Sequence, residues 1–248
     1  MKNLYERLMN DVRFADGLKA CMNCGVCSAI CPAAEFYDYD PRRVVDLVQT
    51  RDDEVILGLL KSETIWYCGQ CMSCKTRCPR GNTPGSIISA LRQLSQELGL
   101  FTCSEKGRQQ FAVKRTVGEN ILKYGYCIVA YAVHPDLHPE QGPAWEHAFE
   151  NLEAFFARAG GELNGVEGPM RKITPEVLDE LDRIFSVTCG KKLFEAIEEA
   201  SEKKAAEMGL EFRKEGIDFE YFRHVYTTDN GSHTHQCEPE TVSHERGR

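Results

Sequence analysis

Two cysteine runs of one spacing constrain this chain more than any other feature. The first, CMNCGVCSAICP, places Cys21, Cys24, Cys27 and Cys31 ahead of Pro32. The second, CGQCMSCKTRCPRG, places Cys68, Cys71, Cys74 and Cys78 ahead of Pro79. Both read C-x2-C-x2-C-x3-C-P, the run that binds [4Fe–4S] clusters. Three thiolates at three-residue steps wrap one turn of chain around a face of an iron–sulfur cube. The fourth cysteine, just before proline, leaves in another direction, and in two-cluster proteins it ligates the other cluster. The spacing therefore assigns Cys21, Cys24, Cys27 and Cys78 to cluster 1. Cluster 2 takes Cys68, Cys71, Cys74 and Cys31. Gly25 and Gly69 fall between ligands, where a missing side chain lets backbone N–H groups approach sulfur. A structural zinc site would instead show two separated C-x2-C pairs.

The remaining composition agrees with an intracellular metalloprotein. Twelve cysteines in 248 residues, with no signal peptide expected from the charged start MKNLYERLMNDVR, read as ligands or buried thiols and not as a disulfide frame. Cys103, Cys127, Cys189 and Cys237 stand singly, without ligand-like neighbours, and their role is open. Thirty basic against 38 acidic residues give a net charge of −8, which carries no nucleic-acid footprint. No apolar stretch reaches the about 20 residues of a bilayer span. The longest, Tyr124 to Val133, reads as a buried helix. A soluble, cytoplasmic protein is expected, with peripheral membrane association left open.

The text around the runs is helical. Asp40 caps and Pro41 opens a helix bearing Val44, Val45, Leu47 and Val48. Val55, Ile56, Leu59 and Leu60 continue the pattern. Thr83 and Pro84 open a helix bearing Ile87, Ile88, Leu91, Leu94 and Leu98, ended by Gly99. Further helices are expected over 104–122, 144–159, from Thr174–Pro175, and over 191–208, closed by Gly209. The Gly/Pro-rich segments HPDLHPEQGP and GGELNGVEGP break them. The expected division is 1–100 for the two-cluster unit, 101–223 for a helical extension and 224–248 for a polar, mobile tail. His233, His235, Cys237 and His244 in that tail fit no zinc spacing and read as incidental.

The stretch CMNCGVCSAICP, a helical spacer, then ETIWYCGQCMSCKTRCPRG closely resembles the C subunit of heterodisulfide reductase (HdrC), including Ile65-Trp66 and Arg80-Gly81. The resemblance covers about the first 100 residues. It implies a mainly α fold, an alpha-helical ferredoxin with two [4Fe–4S] clusters, followed here by a helical C-terminal extension. It also implies an electron-transfer component, itself non-catalytic, of a hetero-oligomer. The implied partners are a flavin-containing HdrA-like protein and a catalytic HdrB-like protein built on Cys-Cys-Gly motifs. This chain has no adjacent cysteine pair and no G-x-G-x-x-G fingerprint, so the substrate chemistry is expected on another chain. Chain length points to the Hdr-like complexes that oxidise carrier-bound sulfur. The methanogen enzyme acting on the CoM-S-S-CoB heterodisulfide and the iron–sulfur component of a membrane-linked dehydrogenase are the alternatives. A redox sensor is disfavoured by the absence of a basic recognition helix.

The two runs differ in charge. The first has none between Cys21 and Cys31. The second carries Lys75 and Arg77, with Arg80 just beyond. Positive charge stabilises a reduced cluster, so the cluster on Cys68, Cys71 and Cys74 is expected to have the higher potential. Trp66 and Tyr67 are expected to pack beside it and exclude water.

Overall fold

A computed structural model describes residues 3–138, 141–166, 168 and 170–227. It is 67% helical, and the described residues contain no strand. The chain opens with α1 (Leu4–Met9) and α2 (Val12–Gly17), followed by the first cysteine run and its short helix α3 (Val26–Ala29). Two longer helices, α4 (Pro41–Gln49) and α5 (Asp53–Lys61), form the spacer. The second run holds α6 (Ser73–Arg77) and leads into α7 (Pro84–Glu97). The helix α7 is the spine of this unit: α1, α2, α4, α5 and α6 all pack on it, and α3 packs on α6.

Local chemistry explains these boundaries. The Asp40 side chain accepts from Arg42 N–H and Arg43 N–H, and Pro41 fills the first helical position, where a missing donor costs nothing. The α4 residues Val44, Val45 and Val48 are buried, at the i, i+1, i+4 spacing of one helix face. Thr83 precedes Pro84 in the same way at α7, but makes no side-chain cap bond. Leu98 ends α7, and Gly99 follows with φ 69°.

Beyond residue 100 come α8 (Glu105–Val113), a π-turn over Lys114–Gly118, and α9 (Glu119–Tyr124). Then follow α10 (Gly142–Glu150), α11 (Leu152–Arg158), α12 (Pro175–Val187), α13 (Gly190–Met208) and α14 (Glu220–Thr227). Asn151 divides the helix expected over 144–159 into α10 and α11.

The run Tyr124 to Val133 is not the buried helix expected from its hydropathy. Gly125 turns left-handed at φ 77° and ends α9. A Cβ there would lie 2.7 Å from Ile173 Cγ1, so only glycine fits. The run continues as a loop with a 3-10 turn at Ala130–Ala132, and Ile128 is 66% exposed.

One hydrophobic core runs through both stretches. Phe14, Val48, Ile56, Leu60, Ile88 and Leu91 share it with Phe111, Ile197, Phe219, Tyr221 and Phe222. Val225 on α14 belongs to it too, so the packed chain continues through Thr227, past the residue at which a tail is expected. A smaller cluster of Val129, Phe156 and Met170 lies apart. Buried Arg115, in the π-turn, pairs with Glu198 of α13 and donates to Arg213 O at 3.0 Å, tying the later helices together. The three histidines and the cysteine singled out in the tail lie outside the described residues.

Candidate metal centres

The two cysteine runs repeat in backbone as well as in spacing. Asn23 and Gln70 take the same place in the two runs, and both are left-handed, at φ 59° and 52°. Each presents its N–H to the sulfur two residues back. Asn23 N lies 3.4 Å from Cys21 Sγ, and Gln70 N lies 3.4 Å from Cys68 Sγ. Two residues on, Gly25 at φ 77° and Met72 at φ 59° are also equivalent, and each is the N-cap of its short helix. Of the two glycines between ligands, Gly25 alone has the left-handed backbone that favours glycine, and a Cβ on it would meet nothing within 4 Å. Gly69 is not left-handed, and a Cβ on it would meet nothing within 4 Å. The second loop puts its left-handed turns on Gln70 and Met72 instead. Met72 finds room because Gly85, at the start of α7, has no side chain: a Cβ there would stand 2.9 Å from Met72 Sδ.

Two cavities open beside these loops. The first is lined by Cys21, Cys24 and Cys27 of the first run and by Cys78 of the second. The second is lined by Cys68, Cys71 and Cys74, and by Cys31 of the first run, with Cys27 also on its wall. Cys24 and Cys71, the middle cysteines, are the exposed members; the other six are half-buried. None of the eight is in a disulfide.

The local environment separates the thiols. Burial raises the pKa of Cys27 and of Cys74. The Ser73 hydroxyl, by hydrogen bonding, holds Cys71 below the ordinary thiol value. Burial acts to raise Cys78, but the N–H groups of Arg80, Asn82 and Gly81, with the Asn82 side chain, outweigh it and lower the value. Asn82 N lies 3.3 Å from Cys78 Sγ.

The walls differ. Arg42, Arg80, Val45 and Asn82 stand around the first cavity. Phe36, Tyr37, Tyr39 and Tyr67 stand around the second. Tyr37 and Tyr67 stack at 4.4 Å, and Tyr39 meets Tyr67 edge-on at 6.3 Å. Tyr67 thus stands where the sequence places it, whereas Trp66 is buried but does not line the cavity. Behind this wall Arg92 donates from Nε to Ile65 O and from Nη2 to Cys68 O, both at 2.6 Å. Its guanidinium sits 5.4 Å from the centre of the Trp66 ring. Burial lowers its pKa.

The basic residues expected at the second centre are placed differently. Lys75 and Arg77 are exposed. Arg80 donates to Ala20 O at 3.3 Å and lines the first cavity, because the chain crosses over at Cys78. The cation in contact with the second run is Arg92, 14 residues past Cys78 in sequence and invisible to a reading of the loop itself. Cys103, Cys127 and Cys189 are exposed and line neither of these cavities.

The donor sets fit iron–sulfur cubes. Thiolates are the soft ligands that such clusters require. Among the described residues, no three His, Cys, Asp or Glu side chains converge on a single ion. Each cavity also has a buried donor that makes no well-formed hydrogen bond in the protein and has only a thiol sulfur to act on: the Tyr39 hydroxyl, beside Cys68, at the second, and Asn82 Nδ2, beside Cys78, at the first. Such orphans call for an acceptor, and cluster sulfur is one.

Fold and site together define a two-cluster iron–sulfur electron-transfer protein. Residues 17–82 match the family model of the 4Fe-4S dicluster domain. The chain is 34% identical over 161 residues to the C subunit of the ferredoxin:CoB-CoM heterodisulfide reductase of Methanosarcina acetivorans, covering 64% of this chain and 61% of that one. It is 33% identical over 141 residues to the iron-sulfur C2 subunit of the CoB–CoM heterodisulfide reductase of Methanocaldococcus jannaschii, covering 55% of this chain and 69% of that one. A protein of Archaeoglobus profundus that is like the heterodisulfide reductase C subunit is 36% identical over 85 residues, 34% of this chain and 43% of that one. The chain thus spans between about two-fifths and seven-tenths of the length of these relatives. It belongs to the family of heterodisulfide reductase C subunits and carries two [4Fe–4S] clusters.

Proposed function

We propose that this chain relays single electrons between a flavin-bearing HdrA-like partner and a Cys-Cys-Gly HdrB-like partner in a heterodisulfide reductase-type complex. The observation that carries the reading is the pair of cavities, each bordered by three cysteines of one run and the fourth of the other. On it we base the ligand sets: Cys21, Cys24, Cys27 and Cys78 for one cluster, and Cys68, Cys71, Cys74 and Cys31 for the other. Bound there, the clusters supply reversible one-electron storage. The chain's own residues do the rest. The packing of α3 on α6 and of α4 on α7 fixes the separation of the two sites. The aromatic wall at Tyr37, Tyr39 and Tyr67 keeps water from the second. Exposed Cys24 and Cys71 give each site one edge at the surface, as transfer to a partner requires. The helical extension expected over 101–223 buttresses the 1–100 unit and runs on through α14 to Thr227.

For the substrate, the names of the relatives favour reduction of the CoB–CoM heterodisulfide by the HdrB-like partner. Oxidation of carrier-bound sulfur, expected on chain length, loses that support. The aligned 161 residues are 64% of this chain and 61% of the Methanosarcina relative, so the two are of similar length. A membrane-linked dehydrogenase would need an anchoring partner, since no described helix is long and apolar enough to cross a membrane. Affinity purification of the tagged chain under anaerobic conditions tests the reading. Co-purification of a flavoprotein and a Cys-Cys-Gly protein, with oxidation of reduced viologen by the heterodisulfide, is the expected result. A complex that ignores the heterodisulfide but reduces an acceptor with carrier-bound sulfur would return the chain to sulfur oxidation. Purification without either partner would remove the relay reading.

A further inference from the structure

We propose that Tyr39 and Asn82 are paired hydrogen-bond donors, one to each iron–sulfur centre, that set the two reduction potentials separately. The inference rests on the two-cluster reading above. Tyr39 is 4% exposed, its hydroxyl makes no well-formed hydrogen bond but acts on the Cys68 thiol, and it lines the cavity of Cys31, Cys68, Cys71 and Cys74. Asn82 is 2% exposed and lines the cavity of Cys21, Cys24, Cys27 and Cys78. Its orientation is fixed by its other end. Oδ1 accepts Lys19 N–H at 2.7 Å, an acceptor role that only the oxygen can take, so the unpartnered Nδ2 is the amide end left for the cavity.

The two residues are also equivalent in the repeat. Each run is followed by a donor, a cap and a proline that opens a long helix: Tyr39-Asp40-Pro41 at α4 and Asn82-Thr83-Pro84 at α7. Each donor borders the cavity of the fourth cysteine of its own run, Tyr39 with Cys31 and Asn82 with Cys78. The crossing that exchanges the fourth ligands therefore exchanges the donors too. An unpaired buried donor is costly, and two of them at matched positions beside thiol-lined cavities point to a common acceptor, the cluster or its thiolate sulfur. A donor to sulfur favours the reduced, more negative state. A phenol and a carboxamide differ in donor strength, so two otherwise repeated sites acquire different potentials.

The test uses the full chain with both clusters, followed by iron content and EPR-monitored redox titration. Tyr39→Phe removes one oxygen and is expected to lower one midpoint. About a tenfold fall in the reduction constant, or about 59 mV, is expected. Asn82→Leu removes the donor without adding charge, at the loss of the bond to Lys19 N–H, and is expected to lower the other midpoint. 3-Fluorotyrosine at position 39 keeps the shape, strengthens the donor and should raise the midpoint that Tyr39→Phe lowers, which settles the matter even where the phenylalanine variant sheds iron. Shifts confined to different midpoints support the inference. Two unmoved midpoints, or one midpoint moved by both substitutions, overturn it while the cluster reading stands. An unaltered chain that holds fewer than two clusters overturns both.

Discussion

The first and second cysteine loops share spacing, left-handed turns and thiol exposure, yet they face different surroundings. The first cavity has guanidinium groups on its open side: Arg42, paired with Asp40 at 2.9 Å, and Arg80. The second has an aromatic wall, with one half-buried cation, Arg92, behind it, hydrogen-bonded to the carbonyl of Cys68. Matching cysteine spacing therefore does not give matching surroundings. What separates them is the layer outside the sulfurs, where charge, donors and water access tune a cluster. Charge acts strongly only where solvent does not screen it, so Arg92 outranks the exposed Lys75 and Arg77.

This contrast can be broken from either side. The largest effect is expected from Arg92→Met, which strands Ile65 O and Cys68 O and removes the cation. It should destabilise the fold by about 1–3 kcal/mol for each carbonyl left without a partner and lower the midpoint of one centre only, as read by denaturant unfolding and redox titration. Next comes Asp40→Ala. It removes the cap of α4 and the bond to the Ser28 hydroxyl in α3, so a loss of about 1–2 kcal/mol is expected. Thr83→Val at the equivalent place on α7 deletes no cap bond and should cost clearly less in the same measurement. Gly25→Ala forces a side chain into a left-handed turn, for about 1 kcal/mol. Met72→Gly should change stability less, because relief of the turn is offset by lost packing on Gly85. The smallest effect is that of Lys75→Ala and Arg77→Ala, whose midpoints should match the unaltered chain.

The sequence alone makes the cysteine pattern legible, and with it the centres, because ligand spacing is a local property. Helices α4, α7 and α13 are legible for the same reason, through Asp40-Pro41, Thr83-Pro84 and the closing Gly209. What surrounds the sulfurs is not local. Arg92 reaches the second run from within α7, and Arg80 is carried to the first cavity by the crossing at Cys78. Tyr39 and Asn82 leave a trace, as the residues two ahead of the helix-opening prolines, but only once the repeat is extended beyond its cysteines. Hydropathy misleads at Tyr124 to Val133, where one left-handed glycine outweighs an apolar run.

Crosswise ligation is most directly tested by pairing cysteine substitutions within and between the runs. Cys21→Ala/Cys78→Ala strips two ligands from one centre and leaves the other whole. Under anaerobic reconstitution it should keep about four irons per chain, as one intact [4Fe–4S] cluster, with one of the two original EPR signals unchanged. Cys21→Ala/Cys31→Ala takes one ligand from each centre and should leave neither original signal. The reverse pattern, with an unchanged signal surviving in Cys21→Ala/Cys31→Ala and none in Cys21→Ala/Cys78→Ala, would mean that each run closes its own cluster.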